Sequence, residues 1–236
     1  MKKFTTLLLL FTAIISFSQT LTGNQLLEKS IQFHDPNGNW DTFKGSFIVT
    51  MKTPKNSPRK SYVEINLPED YFLVKAIKDT LVTQYTLRKG ICSMAINGNT
   101  TPSEELLKKH KLSCERANLY KNYYTYLYGL PMKLKDEGTI IHQKTTTKTF
   151  KGKEYLVLKV TYTKEVGKDT WYFYFDPKTY AMEVYQFFKE KKESGEYILL
   201  TGLETVHDIK MPKERAWYYN KNDGYLGVDI LSKTAQ

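Results

Sequence analysis

Long apolar segments are almost absent from this chain of 236 residues. The one clear run covers residues 7–15, and it is far shorter than the ~20 residues that an apolar helix needs to span a bilayer. The sequence also lacks an HExxH pair of histidines, a GxSxG turn and a Gly-rich phosphate loop. We therefore expect no transmembrane segment beyond residue 15, no metal site, no cofactor and no catalytic residue of a recognised kind.

The amino terminus carries the three parts of a secretory signal peptide. Two lysines follow the first methionine, residues 7–15 are apolar, and Ser16 and Ser18 put small side chains where signal peptidase cuts. A buried core helix is the alternative, but the segment has no capping residues. We expect cleavage after Ser18, which leaves residues 19–236 as one soluble domain in the periplasm or outside the cell.

Cysteine is scarce, since Cys92 and Cys114 are the only two. Export would place them in an oxidising compartment, where two cysteines commonly pair. Two buried thiols are the alternative, and two cysteines alone make a poor metal site. The sequence therefore predicts a disulfide between Cys92 and Cys114.

Acidic residues are outnumbered, and the formal net charge is +10. A cytoplasmic protein this basic often binds nucleic acid, whereas an exported one meets anionic lipid or acidic glycan. The lysines are scattered along the predicted strands and do not form one tract. We interpret them as a solvated surface and expect no nucleic-acid partner.

Two helical regions are predicted. The first begins at the capping-box pair Thr22 and Gln25 and ends before Pro36. The second lies in the middle of the chain, with Thr101 as its amino-terminal cap and a further helix over residues 115–128.

Most of the remaining chain alternates apolar and polar residues, which is typical of half-buried strands. Turn-forming residues separate the strands at regular spacing, as in a sandwich or barrel. The predicted strands are residues 43–51, 62–67, 71–78, 81–88, 91–96, 140–150, 155–163, 170–175, 180–189, 197–209, 215–219 and 225–231.

The histidines give little sign of chemistry. His34 is predicted at a helix end, where a cap or a favourable interaction with the helix dipole is the simplest role. His207 and Asp208 are predicted as strand neighbours that point to opposite faces, so they should not act together.

Aromatic side chains are abundant, and they crowd the late strands. Residues 170–175 (TWYFYF) place rings on both faces of one strand, although a sheet with one wet face should alternate apolar with polar residues. A thick core with tyrosine hydroxyls at its rim is the favoured interpretation of these residues alone. A cavity for an acyl chain and a protein-binding face are the alternatives.

The order of these elements resembles the LolA-like and LolB-like lipoprotein-carrier fold. Short segments at residues 39–40 (NW), 122–132 (NYYTYLYGLPM) and 174–177 (YFDP) are similar to those of an uncharacterised exported family near that fold. The resemblance implies a β-dominated α+β protein, with a curved antiparallel sheet or open half-barrel. It also implies that an amino-terminal helix and a central helical insertion cover the concave face, which holds acyl chains.

Our leading hypothesis from the sequence is a non-catalytic protein that holds a lipid, acyl chain or other amphipathic ligand. An interaction module for an envelope protein or an acidic glycan is the alternative, and a hydrolase with an unrecognised carboxylate pair is the third. The disulfide would tie the helical lid in place. The residues predicted to line the ligand cavity are Trp40, Phe47, Tyr124, Trp171, Phe173, Phe175, Tyr185 and Phe187.

Overall fold

The computed structural model describes residues 21–189 and 194–234. The predicted signal peptide lies outside these ranges, as do residues 190–193.

Strands dominate the described part of the chain, as the sequence predicts. The thirteen strands found there are β1 (Lys44–Thr53), β2 (Asn56–Asn66), β3 (Tyr71–Lys78), β4 (Leu81–Arg88), β5 (Ile91–Ile96), β6 (Thr139–Ile141), β7 (Thr146–Phe150), β8 (Lys153–Tyr162), β9 (Thr170–Phe175), β10 (Met182–Phe188), β11 (Glu196–Val206), β12 (Ile209–Tyr219) and β13 (Tyr225–Lys233).

These strands form one antiparallel sheet in the order β5-β4-β3-β2-β1-β13-β12-β11-β10-β9-β8-β6, and β7 also pairs with β8. The two halves of the chain join where β1 pairs with β13. The sheet does not close, because β5 lies at one end and β6 and β7 lie at the other. The expected open, curved antiparallel sheet is confirmed.

Three α-helices accompany the sheet in the described residues: α1 (Gly23–His34), α2 (Glu104–Lys109) and α3 (Cys114–Gly129). Short 3₁₀ turns lie at Asn39–Thr42 and Met132–Lys135. The capping box of α1 forms as predicted, because the Thr22 hydroxyl accepts from the Gln25 amide and the Gln25 side chain accepts from the Thr22 amide.

The predicted cap of the central insertion is wrong by two residues. Ser103 caps α2, since its hydroxyl accepts from the amide of Leu106 at 3.3 Å. The hydroxyl of Thr101 donates to the Asn99 side chain instead, within the preceding turn.

Helix α3 crosses the concave face of the sheet and is attached at both ends. At its start, Cys92 of β5 and Cys114 lie at disulfide distance, with their Cα atoms 5.8 Å apart, as predicted. At its end, Gly129 lies against Trp40, so closely that an added Cβ would lie 2.2 Å from the indole ring. Large side chains on α3, notably Tyr124 and Tyr128, are buried against the sheet.

The core has two parts, one on each side of the sheet. The larger cluster lies on the concave side beneath the helices and includes Phe173 and Phe175. A smaller one on the outer side contains Tyr155, Tyr174 and Val184. Both faces of β9 are therefore covered, in agreement with its aromatic residues at successive positions.

The predicted long strand over residues 197–209 is wrong at its end. β11 stops at Val206, and His207 and Asp208 form the tight turn into β12, both with positive φ. Such conformations suit two-residue hairpin turns and give the connected strands their twist. The two side chains are therefore turn residues and not strand neighbours on opposite faces.

The predicted role of His34 at the end of α1 needs correction. The ring is buried, its Nδ1 donates to the Lys210 carbonyl at 2.6 Å, and its Nε2 accepts from the Met182 amide at 2.9 Å. Burial lowers the pKa of His34 to about 4, which keeps the ring neutral. His34 thus joins α1 to β10 and β12.

Candidate functional site

Helix α3 separates two cavities on the concave side. The first, which we call the aromatic cavity, has a volume of about 750 Å³ and lies between α3 and strands β8–β10 and β12. The second, which we call the basic cavity, has a volume of about 380 Å³ and lies between α3 and strands β2–β4. Both are large enough to receive a small molecule or part of one.

Cross-strand aromatic pairs build the wall of the aromatic cavity. Trp171 of β9 and Phe187 of β10 are directly opposite each other, with ring centroids 4.8 Å apart. Trp217 of β12 extends this surface, and Tyr123 and Tyr126 of α3 face it. The alternation of the strands places these rings on the same face of the sheet.

Polar groups lie at one side of the aromatic cavity. The hydroxyls of Tyr126 and Tyr162 form a hydrogen bond, and burial raises the pKa of Tyr162 to about 12. Lys133 and Asp136 form an ion pair beside them. The cavity can therefore offer both an apolar wall and hydrogen-bonding groups, as an amphipathic ligand requires.

Tyr123 and Trp217 stack at the centre of the concave side, with ring centroids 6.4 Å apart. The pair lines the aromatic cavity and also a small pocket of about 210 Å³ that is lined by Met51 and Asp229. The Tyr123 hydroxyl donates to Asp229 at 3.0 Å. Tyr123 is 37% exposed, so it stands at the surface between these spaces.

A row of mostly charged residues crosses the sheet beneath α3. Directly paired positions bring together Arg215, Asp229, Met51, Arg59 and Lys78, from β12, β13, β1, β2 and β3. Because paired residues share a face, this row lies along the floor of the concave side.

Arg215 is the most buried member of the row, with 1% of its surface exposed. Its guanidinium donates to the carbonyl of Pro212 at 2.8 Å and of Leu127 at 3.2 Å, and it lies 4.0 Å from the ring centre of Tyr128. Burial raises the pKa of Asp229, although the Tyr123 hydroxyl and the two arginines of the row oppose that shift. Arg215 therefore connects the sheet to the carboxy-terminal part of α3.

The structure places the eight sequence-predicted cavity residues in three environments. Trp171 and Phe187 line the aromatic cavity, and Tyr124 lines the basic cavity. The other five are buried in the core on the concave side: Trp40, Phe47, Phe173, Phe175 and Tyr185.

Sequence reasoning missed the charged row and the stacked pair. Asp229 does carry a signal, because it stands at an inward position between Gly227 and Leu231 on an alternating strand. Arg215 likewise lies an even number of residues after the buried Met211 on β12, so the two side chains share the inward face. A charge at an inward position indicates a buried polar site, but strand pairing decides which charges become neighbours.

Within residues 21–189 and 194–234, no three histidine, cysteine or acidic side chains are arranged to hold a metal ion. The helices of this same part of the chain are too short or too polar to cross a membrane.

A solved structure shares the fold of this chain. A LolA superfamily protein from Nitrosomonas europaea superposes with a TM-score of 0.53 at 11% identity, covering 92% of this chain and 94% of that chain. The expected LolA-like fold is thereby confirmed.

Two further structures superpose less well. One is a domain assigned as an outer membrane lipoprotein-sorting protein from Vibrio parahaemolyticus, with a TM-score of 0.47 at 12% identity over 89% of this chain and 92% of that chain. The other is a DUF1329 family protein from Desulfovibrio piger, with a TM-score of 0.48 at 10% identity over 89% and 90%.

No curated protein sequence matches the chain. Residues 2–233 match a family described as a family of unknown function, DUF6503. The protein therefore belongs to the DUF6503 family.

Proposed function

We propose that the protein is a non-catalytic binding protein outside the cytoplasm that holds a lipid or other amphipathic molecule in the aromatic cavity. One observation carries this proposal, namely a cleft of about 750 Å³ whose wall is formed by Trp171, Phe187 and Trp217. Ligand sites in proteins typically measure about 300–1,000 Å³ and are lined mostly by apolar and aromatic groups.

The physical basis of binding is burial of apolar ligand surface against these rings. Each square ångström removed from water contributes roughly 25 cal/mol, so an acyl chain gains affinity with every methylene that enters the cleft. Lys168 and Lys189 lie on the same cavity and suit a ligand with a polar or anionic end. Envelope lipids and acylated proteins are the ligand and partner classes that combine these properties.

Blocking the cavity tests the proposal without disturbing the core. Gly167 lines the aromatic cavity, and a Cβ added there would meet nothing within 4 Å. Gly167→Trp should therefore occupy the cleft while the protein stays folded. Ile91→Trp is the matched control, because Ile91 is exposed on β5, far along the sheet from the cavity.

The measurement is a titration with Nile red, a neutral apolar dye, followed by displacement with monolaurin, a neutral amphiphile. We expect binding to wild type and to the Ile91→Trp variant, and loss of binding in the Gly167→Trp variant. Failure of wild type to bind either compound, or unchanged binding when the cleft is blocked, contradicts the proposal. If the cavity binds these compounds, native mass spectrometry of protein purified from its own cell envelope would identify the natural ligand.

A further inference from the structure

The basic cavity on the other side of α3 has a chemistry of its own. Its lining includes the cationic side chains of Arg59, Lys78 and Arg116, together with His110. None of its lining residues is an aspartate or glutamate. Tyrosine rings complete the wall, so the cavity combines positive charge with phenol hydroxyls.

The cationic groups come from three separate elements that the fold brings together. Arg59 and Lys78 are directly paired across β2 and β3, which places them side by side on the concave face. Arg116 lies in the first turn of α3, next to the end that Cys114 ties to β5. These basic residues are scattered along the sequence, but in the folded chain they line one cavity of about 380 Å³.

These cations have few partners in the part of the chain that the structure describes. None of the three enters a salt bridge there. The Nε atom of Arg59 is buried and has no hydrogen-bond partner among the described residues. Its Nη1 makes one long bond, of 3.4 Å, to the hydroxyl of Tyr120.

Asp229 offsets this charge only in part. It lies two strands from Arg59 along the charged row, with Met51 between them, and it interacts electrostatically with both Arg59 and Arg215. Its carboxylate already accepts a hydrogen bond from Tyr123. Arg116 donates to the Lys111 carbonyl at 3.1 Å, but neither Arg116 nor Lys78 is paired with a carboxylate among the described residues.

A guanidinium withdrawn from water is costly unless an anion or several acceptors replace the lost hydration. Arginine donors are arranged as a planar fork that matches two oxygens of a phosphate or carboxylate. We propose that the basic cavity binds a phosphate group, with Arg59 as the central donor and with Lys78 and Arg116 at its sides. This site stands independently of the proposed function of the aromatic cavity.

The test is isothermal titration calorimetry of the mature chain in a phosphate-free buffer with two probes, inorganic phosphate and a short-chain phosphatidic acid. Arg59→Gln should weaken binding by at least about tenfold, the range expected when a hydrogen bond to a charged group is lost. Lys78→Gln and Arg116→Gln remove exposed cations from the rim, so they test the site in variants that keep the core intact.

Matched controls remove the same charge from the opposite face of the same strands. Lys60 follows Arg59 on β2, and Lys75 precedes Lys78 on β3 by an odd number of residues, so both point away from the cavity. Lys60→Gln and Lys75→Gln should leave binding unchanged. Equal losses in the control and site variants, or no binding of either probe, overturn the proposal.

The two probes separate two sources of the phosphate group. If inorganic phosphate binds and Gly167→Trp has no effect on it, the cavity is a site for a free phosphate. If only phosphatidic acid binds, and both Arg59→Gln and Gly167→Trp weaken it, the cavity holds the head group of a lipid whose chains occupy the aromatic cavity. Monolaurin carries no phosphate, so its binding tests the aromatic cavity alone and distinguishes failure of one proposal from failure of the other.

Discussion

The two sides of α3 differ in almost every physical property, although one helix and one sheet form both. The aromatic cavity is lined by Trp171, Phe187 and Trp217, and its three lysines are accompanied by two aspartates. The basic cavity is about half as large and has cations without a carboxylate in its lining. One helix therefore divides the concave face into a compartment with an aromatic wall and a compartment lined by cations.

The largest expected effect is on apolar binding, from a charge placed on the aromatic wall. Phe187→Glu should abolish binding of Nile red, because it replaces an apolar ring of the wall by a charged group that would lose its water when the apolar dye binds. Phe188→Glu is the control, since Phe188 is the next residue on β10 and faces the outer side. Thermal unfolding should show that both variants are folded. Equal dye binding by the two variants would contradict the assignment of Phe187 to the cavity wall and of Phe188 to the outer face.

The next largest effect is expected from removing the disulfide that attaches the start of α3 beside the basic cavity. Replacing both Cys92 and Cys114 by Ser should lower the free energy of unfolding by roughly 3 kcal/mol, as expected for a loop of this length. Hydrogen exchange should rise first at the start of α3, beside the basic cavity. Faster exchange confined to the aromatic side would contradict this assignment.

Lowering the pH should destabilise the protein through protonation of His34, which lies between β10 and β12. Its pKa is about 4 in the folded protein and about 6.5 when exposed, so the folded state binds fewer protons between these values. The free energy of unfolding should therefore fall as the pH drops from 6.5 to 4, by roughly 2–3 kcal/mol, and then level off.

Two histidine variants sharpen that experiment. His34→Gln should remove most of this pH dependence, because the buried ring between β10 and β12 is gone. His110→Gln, on the rim of the basic cavity, should retain it. Chemical denaturation at a series of pH values measures the free energy of unfolding of both variants. If that free energy depends on pH in His34→Gln as it does in wild type, the role of His34 is refuted.

The smallest effect is expected on stability, from substituting the glycine at the end of α3. Gly129→Ala should destabilise the protein by about 1–3 kcal/mol, because the new methyl group would overlap Trp40 at the end of α3. Gly167→Ala meets open space and should change stability by less than about 1 kcal/mol. Urea denaturation of the pair would show whether α3 is held as tightly at its end as the Trp40 contact indicates.

Much of the fold was predictable because the signals are local. The capping box at Thr22 and Gln25 and the alternation along the strands act within short segments, and two cysteines allow only one pairing. The errors fall where local signals compete, as at Thr101, where a nearby asparagine captures the hydroxyl, and at His207 and Asp208, where a two-residue turn interrupts an otherwise continuous pattern.

The candidate site was harder to predict. The aromatic residues of β9 indicate shelter on both faces, yet they do not say which rings fill the core and which face a cleft. Phe173 and Trp171 share a strand and a face, but only Trp171 lies where α3 leaves space. The position of a helix over a sheet is a tertiary property, because it depends on packing between distant segments.

The amino-acid sequence by itself determined a β-dominated chain with an amino-terminal helix, a helical insertion and a cysteine pair, since periodicity, caps and turns are written in neighbouring residues. Only the tertiary structure decided that Arg215, Asp229, Arg59 and Lys78 form one row, and that α3 divides the concave face into two cavities. Strand register brings together residues that are far apart in the chain, and a shift of one position would turn every one of these side chains to the opposite face.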